Sequence, residues 1–568
     1  MFTVKIESAS QTKHNQNVLS AKRYANNSAV YRGKISGRIL SVLSAPLESH
    51  QMAMRPLTQE LAKRGANVVV VTPLPVFTNE SVPSNLHEID VSYTTNDVNQ
   101  ILMEHIKNGI DLDLRSQKQL INMYSTEVNA AHLNSKEMQN VINDKNNTFD
   151  LILSEASPCK LNTILSYIFK APMIHISSLE AHFNHLNLVG GVVHPLFYPD
   201  HTQKRFNNLT LWEKMKNLIY CFWLEQFEYH QEEMDTIKLY EMFGNNIPTI
   251  TEMNNNQDNV LLLNTHRIWT NNRPVPLSVI YYGEIDQSPQ RQLEQVLKSY
   301  LDSSQNGVIY VSFGTTVTVS DIPAEKLQML LEVLSEMPYN ILFKCKKDQF
   351  SSLPGNIKVL EWIPQPELLR HPNVKLFITQ GGIHSTHEAI AAEVPLVAVP
   401  ILGDQFYNAE KYRYHKIGEV INLQTTTVEQ FKKTIEVVLE DESYRHNIGN
   451  LRKWLSDQPQ PSLERAVWWT EHVLRYGAAH LRSPSANMSH AEYYEVELII
   501  ILFIIVLIIS SILTNNNNNQ STRKQNTYQK IDTKKRIRFR ARRCVVVNEQ
   551  VTAEFHFDSQ TTSVTGTK

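Results

Sequence analysis

The stretch Phe377-Ile378-Thr379-Gln380-Gly381-Gly382-Ile383-His384-Ser385-Thr386-His387-Glu388 constrains this chain more than any other. An apolar run from Lys375 to Ile378 breaks at a glycine pair, and a helical pattern begins near Ser385. The order is therefore strand, tight turn, helix N-terminus. Unpaired N–H groups in a first helical turn, at the positive end of the helix dipole, hold anions, and a glycine pair lets a phosphate approach closely. A second strand, Leu396 to Val399, ends at Pro400 and carries Asp404 and Gln405 to the same sheet edge. Open α/β folds bind ligands at that edge, so a diphosphate and a hydroxylated group can be held together there.

The same alternation starts at Arg38. Ile39 to Leu43 reads as a strand, the loop Ser44 to His50 leads into a helix carrying Met54, Leu57 and Leu61, and Val68 to Val71 is the next strand. This βαβ unit puts His50 at the start of the helix, facing the crevice. A lone histidine at a loop–helix junction is more often a surface residue or cap than a catalyst. Phe149 to Leu153 is a further strand ending at Ser154-Glu155, where Glu155 either orients the His50 imidazole or caps the next helix. Asp111-Leu112-Asp113 follows Gly109 within a charged helical stretch and reads as a solvated pair, so no metal is assigned. Ala171 to Ser178 is another strand, Val189 to Pro195 an irregular Gly/Pro loop, and Leu211 to Phe227 an amphipathic aromatic helix expected to face the core.

Asn264 to Glu284, with Arg273-Pro274-Val275-Pro276, reads as a Pro-stiffened linker. Val308 to Ser312 then makes a strand closed by Phe313-Gly314-Thr315-Thr316, a second glycine turn where backbone can approach a phosphate. Trp362-Ile363-Pro364-Gln365 follows the strand at Val359-Leu360. Its indole offers a flat face for a nucleobase, although tryptophan is as readily a core residue. A helix around Trp468 to Leu474 can run back toward the first half.

At 568 residues the chain is too long for one ordinary core, and its net charge of -2 gives no reason to expect nucleic acid. Leu498 to Leu513 reads LIIILFIIVLIISSIL without a charge. At about 1.5 Å per residue it spans roughly 24 Å, and Tyr493 and Tyr494 extend it as interfacial anchors, so it is expected to cross a membrane. The segment from Arg523 to Arg543 is strongly basic with the single acid Asp532, which places the tail in the cytosol and the preceding domains in the lumen. Met1 to Gly37 is polar and has no apolar h-region. Cys159, Cys221, Cys345 and Cys544 are too widely spaced for a disulfide framework or zinc site, and sequons at Asn26, Asn79, Asn146, Asn208 and Asn487 permit lumenal glycosylation.

Taken together, Trp362 to Gln365, Phe377 to Glu388, Pro395 to Pro400 and Asp404-Gln405, at these spacings, resemble the signature of the UDP-glycosyltransferase family. Ser49-His50 with Arg55-Pro56-Leu57, Gly191 to Pro199, Val311 to Gly314 and the terminal apolar segment extend the likeness from about Arg38 to Leu513, most like membrane-anchored arthropod members. The resemblance implies an α/β chain of the GT-B fold: two Rossmann-like domains facing across a cleft, plus one C-terminal transmembrane helix. The expected division is a polar, disordered extension 1–37, an acceptor-binding domain 38–280, a UDP-sugar-binding domain 281–490, the span 493–514 and a basic cytosolic tail 515–568.

The resemblance further implies that Trp362 stacks on uracil and that Gln365 and Glu388 bind the ribose. Ser312, Thr315, Gln380, Gly382 and Ser385 would surround the diphosphate, and Asp404 and Gln405 would hold the sugar. His50 would be the general base, oriented by Glu155. Two residues depart from the family pattern, Glu155 where an Asp is common and Gln380 where many members have His. The implied reaction is an inverting transfer of a hexose, glucose by likeness to arthropod members, from a UDP-sugar co-substrate to a hydroxyl of a small lipophilic acceptor. No metal or cofactor is expected. The other expected partner is the membrane, with a homo-oligomer left open, in the endoplasmic reticulum and in detoxification. A catalytically inactive UDP-sugar binder of the same fold is the alternative; a phosphorylase or polysaccharide synthase fits the single span and apolar acceptor side less well.

Overall fold

The computed structural model describes residues 35–76, 83–96, 113–191, 193–283, 292–314, 322–346, 350 and 352–543, the last five without side chains. The expected extension before Ile35, Asp111 and Leu112 of the Asp pair, the sequons at Asn26 and Asn79, Glu284, Thr315 and residues 544–568 lie outside them.

Residues up to Met488 form one compact unit holding two parallel sheets. The first is built from β1 (Arg38–Val42), β2 (Asn67–Thr72), β3 (Leu86–Asp90), β4 (Leu151–Glu155), β5 (Met173–Ser177), β6 (Asn259–Leu263) and β7 (Val279–Tyr281). Its order is β3-β2-β1-β4-β5-β6-β7. The second contains β8 (Val308–Ser312), β9 (Asn340–Lys344), β10 (Ile357–Leu360), β11 (Val374–Thr379), β12 (Leu396–Ala398) and β13 (Gly418–Val420), in the order β10-β9-β8-β11-β12-β13. The central strands β4, β5, β6 and β8 are buried along their whole length, as expected where helices cover both faces of a parallel sheet. Each sheet reverses its winding once, between β1 and β4 and between β8 and β11, and the loops after those strands open a crevice.

The helices that shape this crevice and its support are α1 (Glu48–Lys63), α2 (Leu114–Asn134), α3 (Leu211–Phe243), α4 (Gln365–Leu369), α5 (Ile383–Ala392) and α6 (Gln405–Tyr414). Towards the C-terminus come α7 (Ser462–Tyr476) and α8 (Val496–Arg543). Asp113 starts α2 as its N-cap, accepting from Arg115 N and Ser116 N, which accounts for the acidic residue there. Near the other end of this unit, α7 does run back: Ala466, Val467 and Val473 are buried in the same core as Ile39, Leu57 and Leu61.

Two expectations are corrected. Asn264 to Glu284 is not a linker. Trp269 and Arg273 in it are about 1% exposed, and Val279–Tyr281 adds the seventh strand. The Arg273 guanidinium is held by Glu180 at 2.8 Å and by the Pro199 carbonyl at 3.0 Å, and so the proline-rich segment is tied into the core. The start of α3 faces the core only in part. Tyr220 and Leu224 are buried in an apolar cluster with Trp223 against it, but Leu211, Trp212, Ile219 and Phe222 are all more than half exposed, and the buried face also carries Glu225, Glu228 and Asp235. Lys118 of α2, itself buried, pairs with Glu228 at 2.7 Å, so this interface is built on compensated charge.

The residues from Ser489 form a separate unit. In it α8 begins at Val496 rather than Tyr493 and continues well past the apolar run. By length and composition it can cross a membrane.

Candidate functional site

The crevices of the two sheets open into one cavity of about 660 Å³. Its first-domain wall comes from the loop after β1, the start of α1, the end of β4 and a face of α2; the second-domain wall comes from the turns after β8 and β11, the segment before α4, and the Leu402–Gln405 turn.

On the first wall, His50 lies in the first turn of α1 and Glu155 is the last residue of β4. His50 Nδ1 stands 2.7 Å from Glu155 Oε1, while Glu155 Oε2 accepts from the Ala45 N–H at 2.6 Å. The added methylene of Glu155 therefore does not separate the pair. Both carboxylate oxygens are engaged, which holds the imidazole by Nδ1 and leaves Nε2 for a ligand.

The second wall is organised by the two glycine turns. Gly314 has φ +80°, and a Cβ there would come within 2.3 Å of Gln380 Nε2. Gly381 has φ +89°, with Gln405 O only 3.0 Å from where its Cβ would be. Only glycine permits both the left-handed backbone and the close approach. Gln380 Oε1 accepts from Thr379 Oγ1 at 3.0 Å, which fixes the amide so that Nε2, a donor, lies between the turns. Gly382 is the N-cap of α5, whose unpaired N–H groups face the same region.

Gln365 knits the neighbouring corner. Its Oε1 accepts from Tyr310 Oη at 2.9 Å, and its Nε2 donates to Ser385 Oγ at 3.0 Å and Glu388 Oε2 at 2.6 Å. Its amide hydrogens are thus spent on the protein, so Glu388 and the Ser385 hydroxyl are better placed to meet a ligand than Gln365 itself. Burial pushes the Glu388 carboxyl up to about 7, against the opposing effect of the Gln365 hydrogen bond. Trp362 is 65% exposed, with one ring face covered by Lys344 Nζ at 4.9 Å from the centroid.

Asp404 and Gln405 sit at the start of α6. Asp404 accepts from Asn408 Nδ2 at 2.7 Å, and burial raises its pKa. Gln405 Oε1 accepts from the N–H groups of Ile401 and Leu402 at 2.8 and 2.9 Å, so its amide N–H2 is the part left for a ligand. Gly403 N donates to Gln117 Oε1 of α2 at 3.3 Å, tying this turn to the first domain.

Of the residues expected from sequence, His50, Glu155, Trp362, Gln365, Gln380, Gly382, Ser385, Glu388, Asp404 and Gln405 all line this cavity. Ser312 does not. It is 1% exposed, and its Oγ accepts from Gly314 N at 3.3 Å, so it braces the turn from behind. Thr315 is outside the described residues. Sequence alone did not single out His182, His201 and Lys344, which also line the cavity. His182, His185, His194 and His201 crowd twenty residues of sequence, a signal that could have singled out that segment. Among the described residues no group of three or more His, Cys, Asp or Glu is arranged to hold a metal ion.

Comparison with known proteins bears on this arrangement. The family model for UDP-glucoronosyl and UDP-glucosyl transferase matches residues 39–530. The ecdysteroid UDP-glucosyltransferase of Spodoptera littoralis nuclear polyhedrosis virus is 33% identical over 490 residues, covering 83% of this chain and 94% of the viral protein. UDP-glucosyltransferase 2 of Dactylopius coccus is 27% identical over 450 residues, covering 78% and 85%. Among solved structures, UDP-glucose:anthocyanidin 3-O-glucosyltransferase in complex with UDP superposes with a TM-score of 0.52 at 16% identity over 77% of this chain and 98% of that one. The calicheamicin glycosyltransferase gives 0.51 at 17% over 78% and 99%. The structural likeness establishes the GT-B fold.

Proposed function

The chain belongs to the UDP-glucoronosyl and UDP-glucosyl transferase family and is a UDP-sugar glycosyltransferase, and from that premise we propose that it moves glucose from UDP-glucose to a hydroxyl of a small lipophilic acceptor, with His50 as general base. The observation that carries this reading is the 2.7 Å contact of His50 and Glu155 on the wall of the cavity that also holds Trp362, Glu388 and Asp404. A base, an orienting carboxylate and a set of groups suited to a nucleotide sugar share one space.

In this mechanism the neutral His50 imidazole takes the acceptor's proton at Nε2 as the acceptor oxygen attacks the anomeric carbon. Buried Glu155 stabilises the imidazolium that results. Attack comes from the face opposite the leaving UDP, so configuration inverts without a covalent sugar intermediate. Charge developing on the diphosphate is met by the N-terminus of α5, the Gln380 amide and the Ser385 hydroxyl, which supply the stabilisation without calling on a metal. Uracil stacks on Trp362, the ribose hydroxyls bind Glu388, and Asp404 with the Gln405 amide binds the hexose.

The acceptor side of the cavity carries Met52, Ala53, Ile121, Val128 and Leu179, interspersed with polar groups such as Ser49, Tyr124, Ser125, Asn129 and Ser157. Such walls suit a hydroxylated polycyclic lipid, and the ecdysteroid named for the viral relatives is the acceptor to try first. We read α8 as a membrane anchor, with the catalytic unit in the lumen of the endoplasmic reticulum and a detoxifying role there. The test is His50→Ala: transfer should fall by roughly 10²–10⁴-fold while UDP binding is retained. Near-normal turnover would remove His50 from the mechanism, and silence of the wild type with every UDP-sugar would favour the inactive binder.

A further inference from the structure

His182 and His201 line the cavity and are 7% and 3% exposed. Their rings meet edge to face with centroids 4.5 Å apart. Nδ1 of each is buried without a hydrogen bond, that of His201 lying 3.9 Å from Asp200 Oδ1. Among the described residues neither Nε2 has a partner, and neither atom is fully buried, so in these two cavity-lining rings the Nε2 edge is the one open to a ligand.

Their neighbours locate that space. Asp404 lies within electrostatic reach of both His201 and His50, and His182 within reach of both His201 and His50. The pair therefore shares one region of the cavity wall with the base and with the carboxylate assigned to the hexose. Burial holds His182 well below the ordinary histidine range, so it is neutral. Asp200, behind His201, is fully enclosed: it accepts from Thr202 Oγ1 at 2.6 Å and from the N–H groups of Thr202 and Phe183 at 3.0 and 3.2 Å. This carboxylate stands on the Nδ1 side of His201, so the Nε2 edge is the one left to hydrogen-bond a hydroxyl.

Charge is distributed unevenly along the cavity. The only Lys and Arg among its described lining residues are Lys344, over the Trp362 ring, and Arg370, just after α4. Both belong to the nucleotide end. Among the described residues the His182–His201–Asp404 end has no Lys or Arg to receive a carboxylate, and Asp404 itself would repel one.

We propose that His201, packed on His182, is a donor-specificity residue: its Nε2 hydrogen-bonds a hydroxyl of the transferred hexose from the first-domain side, and surroundings without Lys or Arg select a neutral hexose over a uronate. This deepens the UDP-sugar reading above and rests on it.

The test compares binding of UDP, UDP-glucose and UDP-glucuronate to the full chain by calorimetry. His201→Phe keeps the ring contact with His182 and removes the acceptor. It should leave UDP affinity within about twofold and weaken UDP-glucose by roughly three- to tenfold. His201→Arg should shift the UDP-glucuronate to UDP-glucose affinity ratio by about tenfold or more toward the uronate. UDP affinity reports an intact nucleotide site, and where the Phe variant has lost it, the Arg variant decides. Unchanged UDP-glucose affinity in His201→Phe with UDP binding intact, or an unchanged ratio in His201→Arg, overturns the specificity role and leaves the UDP-sugar reading standing. Wild-type protein that binds none of the three overturns both.

Discussion

Glu155 serves two partners at once: one carboxylate oxygen meets His50 Nδ1 at 2.7 Å and the other accepts from the Ala45 N–H at 2.6 Å. The residue thus fixes both the imidazole and the loop that leads into its helix. Length and charge act separately here. Glu155→Gln keeps the reach and removes the charge, so the imidazolium formed in the transition state loses its counter-ion; kcat should fall by about 10²-fold or more with little change in UDP affinity. Glu155→Asp keeps the charge and is one methylene short of bridging both partners, and a smaller loss, about tenfold, is expected. Steady-state kinetics on the two variants separates the effects, and near-normal turnover in Glu155→Gln beside a loss in Glu155→Asp would mean that only geometry matters.

Gly314 presents a different dependence, since both its φ of +80° and the 2.3 Å approach of Gln380 Nε2 exclude a side chain. In Gly314→Ala the left-handed backbone costs about 1–2 kcal/mol, and the Gln380 amide must leave the gap between the glycine turns. Donor affinity should therefore drop more than the melting temperature suggests. Calorimetry with UDP-glucose beside a thermal melt checks this, and a variant that loses stability but binds the donor normally would show that Gln380 Nε2 does not contact the diphosphate.

Much of this site is visible in the sequence because its pieces are local. The strand–Gly–Gly–helix run, the Trp362 to Gln365 turn and the Asp404-Gln405 pair each sit where a sheet edge must deliver them, and the two matching strand orders explain why one rule locates both walls. What was hidden depends on partners distant in sequence. Arg273 looks like part of a linker until Glu180, 93 residues away, is seen to neutralise it in the core. Only Tyr220 and Leu224 of the apolar start of α3 reach the core, and the sequence does not reveal that its buried face also carries Glu228, compensated by Lys118. Ser312 reads as a phosphate ligand because its hydroxyl's engagement with Gly314 N depends on the turn's geometry.

The chain's division at Met488 yields a prediction about attachment. Both sheets and their cores lie before it, and the apolar helix lies wholly after it. Ending the chain at Met488 should therefore release the protein into the soluble fraction with its UDP-glucose affinity within about twofold of the full chain. The window Leu498 to Leu513 bears a high apolar load without a charge, so the full chain should be found in the membrane fraction. Fractionation of expressing cells with a binding assay on each fraction decides the point, and a truncated chain that stays with the membrane would put the attachment elsewhere.

Glu388 is the group expected to set the pH dependence of donor binding. Its carboxyl is raised to about 7 mainly by burial, so near neutrality the empty site is a mixture of protonated and ionised forms. Ribose hydroxyls donate hydrogen bonds, and the ionised carboxylate is the better acceptor. Binding therefore favours the deprotonated form: affinity for UDP-glucose is full above about pH 7 and falls as the pH drops below it, by at most about tenfold per pH unit. UDP-glucose is the appropriate probe because its diphosphate does not titrate in this range. Glu388→Gln removes the titrating group, so its affinity should be lower at pH 8 and nearly flat between pH 6 and 8. A wild-type profile that is flat across that interval, or one that the Gln variant reproduces, would assign ribose recognition to another group.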